Sequence, residues 1–173
     1  METNNAIRVL IVDDSMTARE AIAAILTSDP LVYILGQAAD GAEGVTLAAE
    51  LKPDVITMDI TMPNLNGYEA TRQIMAENPT PIVVVTSVTR EEMVHQGLNL
   101  LLAGALEIVQ KPGNLTAQNR EAIQEELLAK VKAVARIKYP PVNQAIGNRN
   151  QLAATNGSAN HPIDRLPEDA IKQ

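Results

Sequence analysis

Asp54-Val-Ile-Thr-Met-Asp-Ile-Thr-Met-Pro63 decides the fold of this chain, because a β-branched run stops at a carboxylate, Asp59, and then at a proline-marked turn. A short apolar run bounded by a turn signal fits a strand buried on both faces. Open α/β sheets bind ligands in the crevice beyond the C-terminal ends of such strands, which makes Asp59 a candidate for chemistry.

Outward from that stretch the pattern repeats. Ile7-Arg-Val-Leu-Ile-Val12 ends on Asp13-Asp14-Ser15, and Ala18, Ile22, Ile25 and Leu26 follow at helical spacing. Asp29-Pro30 stops that helix, and Val32-Tyr-Ile-Leu-Gly-Gln-Ala38 reads as a second strand. Asp40 with Glu43, Asn66 with Glu69 and Thr89 with Glu92 have the spacing of capping boxes, each just before a helix-compatible segment. Ile82 to Val85 and Leu106 to Val109 supply the fourth and fifth strands. A long helix is expected from about Thr116 to Ile137, with Ile123, Leu127, Val131 and Val134 as its buried stripe. Its acids, Glu121, Glu125 and Glu126, precede Lys130, Lys132, Arg136 and Lys138, the order that the helix dipole favours.

Five strands alternating with five helices predict a flavodoxin-like doubly wound α/β domain over residues 6–138, with a parallel sheet of strand order 2-1-3-4-5. From 139 to 173, Asn, Gly, Ser and Pro replace bulky apolar residues, so burial cannot offset chain entropy, and this stretch reads as a flexible tail or interdomain linker. The length of 173 residues suits that division. Phe and Trp are absent and only Tyr33, Tyr68 and Tyr139 are aromatic, so Val, Ile, Leu and Ala must fill the core. The absence of cysteine excludes a disulfide framework, a thiolate zinc site and a thiol nucleophile. A net charge of -7 argues against nucleic acid as a partner. No apolar stretch is long enough to enter a bilayer as a spanning helix, and a cytoplasmic setting is expected.

In the expected strand order, strands 1 and 3 are neighbours, which brings Asp13 and Asp14 opposite Asp59. Two carboxylates about 5 Å apart repel by roughly 3 kcal/mol at an effective dielectric of 20, so such a cluster wants a cation. Mg2+ is the natural candidate, being a small hard ion that takes carboxylate and phosphoryl oxygens, with Asp14 and Asp59 as ligands. Alone, Asp13-Asp14-Ser15 would be read as a helix cap. Thr86-Ser87 at the end of strand 4 and Lys111-Pro112 at the end of strand 5 change that reading, since a hydroxyl and an ammonium at the same sheet edge suit a phosphoryl group.

Val12-Asp-Asp-Ser15, Met58-Asp-Ile-Thr-Met-Pro63, Val85-Thr-Ser87 and Gln110-Lys-Pro112, in this order and at these intervals, resemble the receiver domain of two-component response regulators. The resemblance covers about residues 6–137. Among receivers the chain is similar to the N-terminal regulatory half of the chemotaxis methylesterase CheB, from Ile7-Arg-Val-Leu-Ile-Val-Asp-Asp-Ser15 through Pro53-Asp-Val-Ile-Thr-Met-Asp59 to Val85-Thr-Ser-Val-Thr89. The esterase half, with its Gly-x-Ser-x-Gly serine, has no counterpart here, so the chain is not expected to be the esterase itself.

The resemblance implies roles. Asp59 would attack a phosphohistidine of a CheA-like sensor histidine kinase and become an aspartyl phosphate, which the domain can also release. Asp13, Asp14 and Asp59 would hold Mg2+ with the Thr61 carbonyl. Lys111 would pair with the phosphoryl oxygens, and Thr86 would move to bond one of them, switching a face read by a downstream protein or a tethered effector domain. The family also suggests a cis bond at Pro112 that aims Lys111 inward.

The chain departs from the receiver pattern at Ile108, where an aromatic residue usually couples to the threonine, and at Asn66, where aspartate is common. Thr61 and Val88 stand where polar residues often govern hydrolysis of the acyl phosphate. Between strands 4 and 5, Leu98, Leu100, Leu101 and Leu102 make a helix apolar around more of its circumference than one buried face needs. Two readings follow: a partner-binding face that includes Leu100 and Leu102, or burial by the protein's own elements. His95 on that helix reads as a solvated surface residue. Two rival functions stand beside the receiver. One is a regulatory fragment of a CheB-type protein-glutamate methylesterase, with 139–173 as its linker. The other is a Mg2+-dependent phosphohydrolase using Asp59, against which stands Thr61, unable to act as a second acid.

Overall fold

In the computed structural model, the described residues are 6–87, 92, 94, 99–101, 103–111 and 119–140. The chain divides into two units, Met1–Val142 and Asn143–Gln173, and every described residue lies in the first. Its strands are β1 (Ile7–Val12), β2 (Val32–Ala38), β3 (Val55–Met58), β4 (Ile82–Thr86) and β5 (Glu107–Gln110). They pair in parallel as β2-β1-β3-β4-β5, the order expected from the alternating pattern.

Each apolar run works because its alternate residues enter two different cores. Val9 and Ile11 of β1 face the side covered by α1 (Met16–Leu26) and by the C-terminal helix (Arg120–Val134). Leu10 and Val12 face the side covered by α2 (Gly41–Leu51) and α3 (Gly67–Glu77). Val9, Leu10 and Ile11 are 0% exposed, as expected for central strands covered on both faces. Full burial of one such side chain contributes about 1.5–3 kcal/mol, so aliphatic packing carries this fold without large aromatics.

Caps set the helix starts. Ser15 accepts from Ala18 N, Asp40 from Glu43 N and Asn66 from Glu69 N. Glu43 returns a bond to the N–H of Ala39, so α2 begins with a box-like pair. Thr89, of the third capping pair, lies outside the described residues. Between β4 and β5, each described residue from Glu92 to Ala103 is helical. Gly104 ends that segment at φ +112°, and a Cβ there would lie 2.7 Å from Met75, so only glycine makes this turn without strain.

The sequence pattern overran the last elements. β5 runs from Glu107, one residue later than expected, because the register pairs Glu107 with Val83 and Leu106 only donates into Ile82 O. The C-terminal helix has Arg120 as its first residue, against an expected start near Thr116, which lies outside the described residues. It ends at Val134, where Ala135 and Arg136 tighten into a turn closed by Ile137 N to Val134 O. Leu127, Val131 and Val134 are buried as expected, while Ile123 is half-buried. Both sheet edges are obstructed: Leu35 bulges β2 out of register, and Lys130 donates to the Ile108 carbonyl of β5 while pairing with Glu107 and Glu126. Among the described residues no helix is long and apolar enough to cross a membrane.

At the sheet end opposite the strand C-termini, Arg8 clasps Asp54 through its backbone N–H at 2.9 Å and its guanidinium at 3.0 and 3.2 Å. Burial pushes the Asp54 carboxyl up, but the Arg8 bonds, with the charge of Lys138, outweigh it and hold the group below the usual carboxylate range. A lowered acid stabilises the fold above its unfolded pKa and loses that contribution as the pH falls through the folded value. Asp54→Asn should therefore cost about 1–2 kcal/mol at pH 7, measured by urea unfolding, and the gap to wild type should shrink near pH 3.

Candidate functional site

The parallel register lines up the strand ends. Val12 pairs with both Ala38 and Met58, and Thr86 pairs with Gln110, so the residues that follow emerge along one edge. Asp13 N donates to Ala38 O and Asp59 N to Val12 O, extending the ladder one step and seating the two aspartates side by side. Asp13 and Asp59 are 1% and 4% exposed, whereas Asp14 faces solvent. One carboxylate oxygen from each of the three lies within 4.8 Å of the others.

The capping reading of Asp13-Asp14-Ser15 and the chemical one turn out to coexist. Ser15 alone caps α1, and its N–H donates to Asp13 Oδ1 at 2.8 Å, which orients that carboxylate and leaves Oδ2 pointing inward. Arg19, one turn along α1, donates to the Asp13 carbonyl at 2.7 Å and to Gln37 of β2 at 3.3 Å. Sequence reading passed over Arg19, because its partner is a backbone carbonyl that leaves no mark in residue spacing.

Lys111, immediately after β5, supplies the opposite charge. Its Nζ lies 2.7 Å from Asp13 Oδ2 and 3.0 Å from Asp59 Oδ2, and its side chain is only 13% exposed. Its N–H also donates to Thr86 O at 2.7 Å, so the β4–β5 ladder delivers the lysine to the cluster. Burial, with the Asp13 charge, holds the Asp59 carboxyl above the usual carboxylate range, although Lys111 and the Ile60 N–H pull it down. Burial pushes Lys111 down, but hydrogen bonds and charge from Asp13 and Asp59 prevail and raise it.

The loop after Asp59 is braced from two helix starts. Gly67 N donates to Ile60 O and Gly41 N to Leu65 O, while Asn64, at φ 64°, donates from its side chain to Asp40. A Cβ on Gly67 would lie 1.9 Å from the Asp59 carbonyl oxygen, so α3 can approach the site only through glycine. Thr61 sits in this loop with an exposed side chain. Thr86 is 1% exposed at the end of β4, and Ile108, its expected coupling partner, packs half-buried against the α2/α3 core.

Leu100 is 2% exposed and belongs to that core, so in this conformation the protein's own elements cover it, and Leu101 is the exposed neighbour at 51%. Leu98, Leu102, Val88, both histidines and Pro112 lie outside the described residues. The donors fit a small hard divalent cation: carboxylate oxygens converge, one of them solvent-facing, with no soft ligand among them. A buried carboxylate beside a cation site and an ammonium can accept an electrophilic phosphoryl group.

Comparison with known proteins points the same way. The family model of the response regulator receiver domain matches residues 9–124. The chain is 41% identical over 172 residues to a protein-glutamate methylesterase/protein-glutamine glutaminase of Symbiobacterium thermophilum, covering 95% of this chain but 47% of that relative. It thus spans about half the length, or less, of the curated relatives it matches. Among solved structures, the response regulator domain of Thermotoga maritima CheB is 41% identical with a TM-score of 0.69, covering 78% of this chain and 99% of that domain. A chain of the CheX–CheY–BeF3–Mg2+ complex of Borrelia burgdorferi is 27% identical with a TM-score of 0.57, covering 70% of this chain and 88% of that one.

The electrostatics can be tested by thermal unfolding. Lys111→Ala removes the cation from a buried acidic cluster and should cost about 2–3 kcal/mol, part of it recovered on adding Mg2+. Asp59→Asn relieves the desolvated, repelled charge and should stabilise by about 1 kcal/mol, a rise of roughly 3–5 °C in Tm. Thermal unfolding with and without Mg2+ measures both, and equal Tm values for the two variants would contradict the charge assignment.

Proposed function

The chain belongs to the response regulator receiver family, and on that premise we propose that it accepts a phosphoryl group from a histidine kinase on Asp59 and thereby switches a face read by a protein partner. The observation that carries this reading is the Lys111 ammonium bridging Asp13 and Asp59 at a buried sheet edge.

Asp59 Oδ1 is held by the Ile60 N–H at 2.8 Å and Oδ2 by Lys111, which aims the carboxylate at an incoming phosphorus. The new P–O bond forms as the P–N bond of a phosphohistidine breaks, and the imidazole nitrogen keeps the bonding pair. Asp13, Asp14, Asp59 and the Thr61 carbonyl would hold Mg2+, which when bound neutralises charge on the transferring oxygens. Lys111 then moves from the carboxylates to a phosphoryl oxygen. Thr86 follows with its hydroxyl, and Ile108 repacks as an aliphatic residue rather than by swinging an aromatic ring. The helical segment carrying Leu100, with β5, is the face so altered.

A narrower reading rests on the Symbiobacterium relative. Likeness running over 95% of this chain but ending within half of that protein supports residues 6–138 as the receiver of a CheB-type methylesterase and 139–173 as the linker to its catalytic half. The phosphodonor is then a CheA-like kinase, and the setting is cytoplasmic chemotaxis signalling.

Incubation with a 32P-labelled histidine kinase and Mg2+ tests the reading. Wild type should take up label within minutes, Asp59→Asn should fall to background, and chelation should abolish transfer. Lys111→Ala should still accept label but lose the response of the Leu100 region to BeF3- and Mg2+, followed by amide exchange. Undiminished labelling of Asp59→Asn would sink the assignment.

A further inference from the structure

Gly67 is buried at the start of α3, where a Cβ would lie 1.9 Å from the Asp59 carbonyl oxygen, so only glycine lets the helix come this close. The residue before it, Asn66, is exposed and caps the helix from extended backbone, with ψ at 167°. These two demands set an Asn–Gly pair in the loop that follows Asp59. Asparagine is a thermolabile residue, and most so before glycine, because no side chain then keeps the next backbone nitrogen from its carboxamide carbon.

The chemistry needs only water. The Gly67 nitrogen bonds to Asn66 Cγ, the Cγ–Nδ2 bond breaks, and Nδ2 departs as ammonia with the proton that Gly67 carried. Water then opens the cyclic imide at either carbonyl carbon, giving the carbon its hydroxyl and the nitrogen its proton. One opening yields aspartate. The other yields isoaspartate, in which the main chain runs through the side-chain methylene.

The resting fold opposes the first step at each participating group. The Gly67 N–H, which must lose its proton, donates to Ile60 O at 2.9 Å. The Asn66 carboxamide is fixed by accepting from Glu69 N at 2.9 Å. Joining the two requires ψ of Asn66 to turn well away from 167°, which swings the first turn of α3 off Asp59. The loop is kept from doing so by Gly41 N on Leu65 O and by the Asn64 side chain on Asp40. We propose that Asn66 is a gated deamidation site, held unreactive while the β3–α3 loop is braced and converted only when the first turn of α3 lets go. The aspartyl product can still accept from Glu69 N and keep the cap. The isoaspartyl product has one more carbon in its main chain, so it cannot hold that cap and seat Gly67 against Asp59 together.

Peptide mapping by mass spectrometry of the full chain, incubated at mildly alkaline pH with and without urea, tests this. In urea, Asn66 and Asn156, which also precedes a glycine, should deamidate at comparable rates. In buffer, Asn66 should react at least about tenfold more slowly than it does in urea. Asn64→Gly keeps the left-handed backbone at φ 64° but removes the bond to Asp40, and should speed the reaction in buffer about threefold or more. Circular dichroism checks that this variant is folded, and the wild-type comparison stands without it. The isoaspartyl form, made in urea from an Asn156→Ala chain and refolded, should lose about 5 °C or more in Tm, whereas Asn66→Asp should stay close to wild type. Equal Asn66 rates in buffer and urea, a folded Asn64→Gly that reacts no faster, or an isoaspartyl form as stable as Asn66→Asp would each overturn the proposal.

Discussion

Like-charge repulsion at the C-terminal edge of the sheet is the constraint on which this structure turns. Three carboxylates converge within 4.8 Å, two of them almost fully buried, and such a cluster survives only with a cation in its midst. Lys111 provides one, and reaching it takes the whole architecture. Asp13, Asp59 and Lys111 come from three strands that parallel pairing and helical crossovers align at one edge. The caps and braces around the loops then fix the carboxylates themselves: Ser15 N–H on Asp13, Ile60 N–H on Asp59, Arg19 behind the Asp13 carbonyl.

Much of this was legible in the sequence because it depends on local pattern. The bounds of β1, β2 and β3 follow the apolar runs residue for residue, and the caps at Asp40 and Asn66 sit where their spacing put them. Asp13, Asp59 and Lys111 could be placed together because strand order alone sets their proximity. What resisted reading depends on the tertiary environment. Nothing in four clustered leucines reveals that Leu100 points into the α2/α3 core while Leu101 faces outward, since a helix apolar on most sides has no preferred phase. The contacts of Arg19 and Lys130 could not be read from the sequence for a shared reason: each bonds a backbone carbonyl, and every residue has one. The start of the C-terminal helix was likewise hidden, as helix-compatible residues extend upstream of Arg120.

The two ends of the sheet divide labour. At one end, Arg8 and Lys138 compensate the Asp54 carboxylate, and the Arg8–Asp54 bonds tie β1 to the chain entering β3. At the other, charge is left in excess. The compensated end helps to hold the uncompensated one in place, so electrostatic strain is concentrated where an arriving cation can relieve it.

The double anchoring of Lys111 gives the site a memory of its resting state. Its backbone N–H is fixed to Thr86 O, while the ammonium hangs on a flexible four-carbon stem. A dissolved counter-ion displaced from the carboxylates would be lost to bulk and would have to return at its bulk concentration. A tethered one stays within reach, at an effective concentration fixed by the length of its own side chain. Where a cation displaces the ammonium from the carboxylates, the return of the ammonium is therefore an intramolecular step.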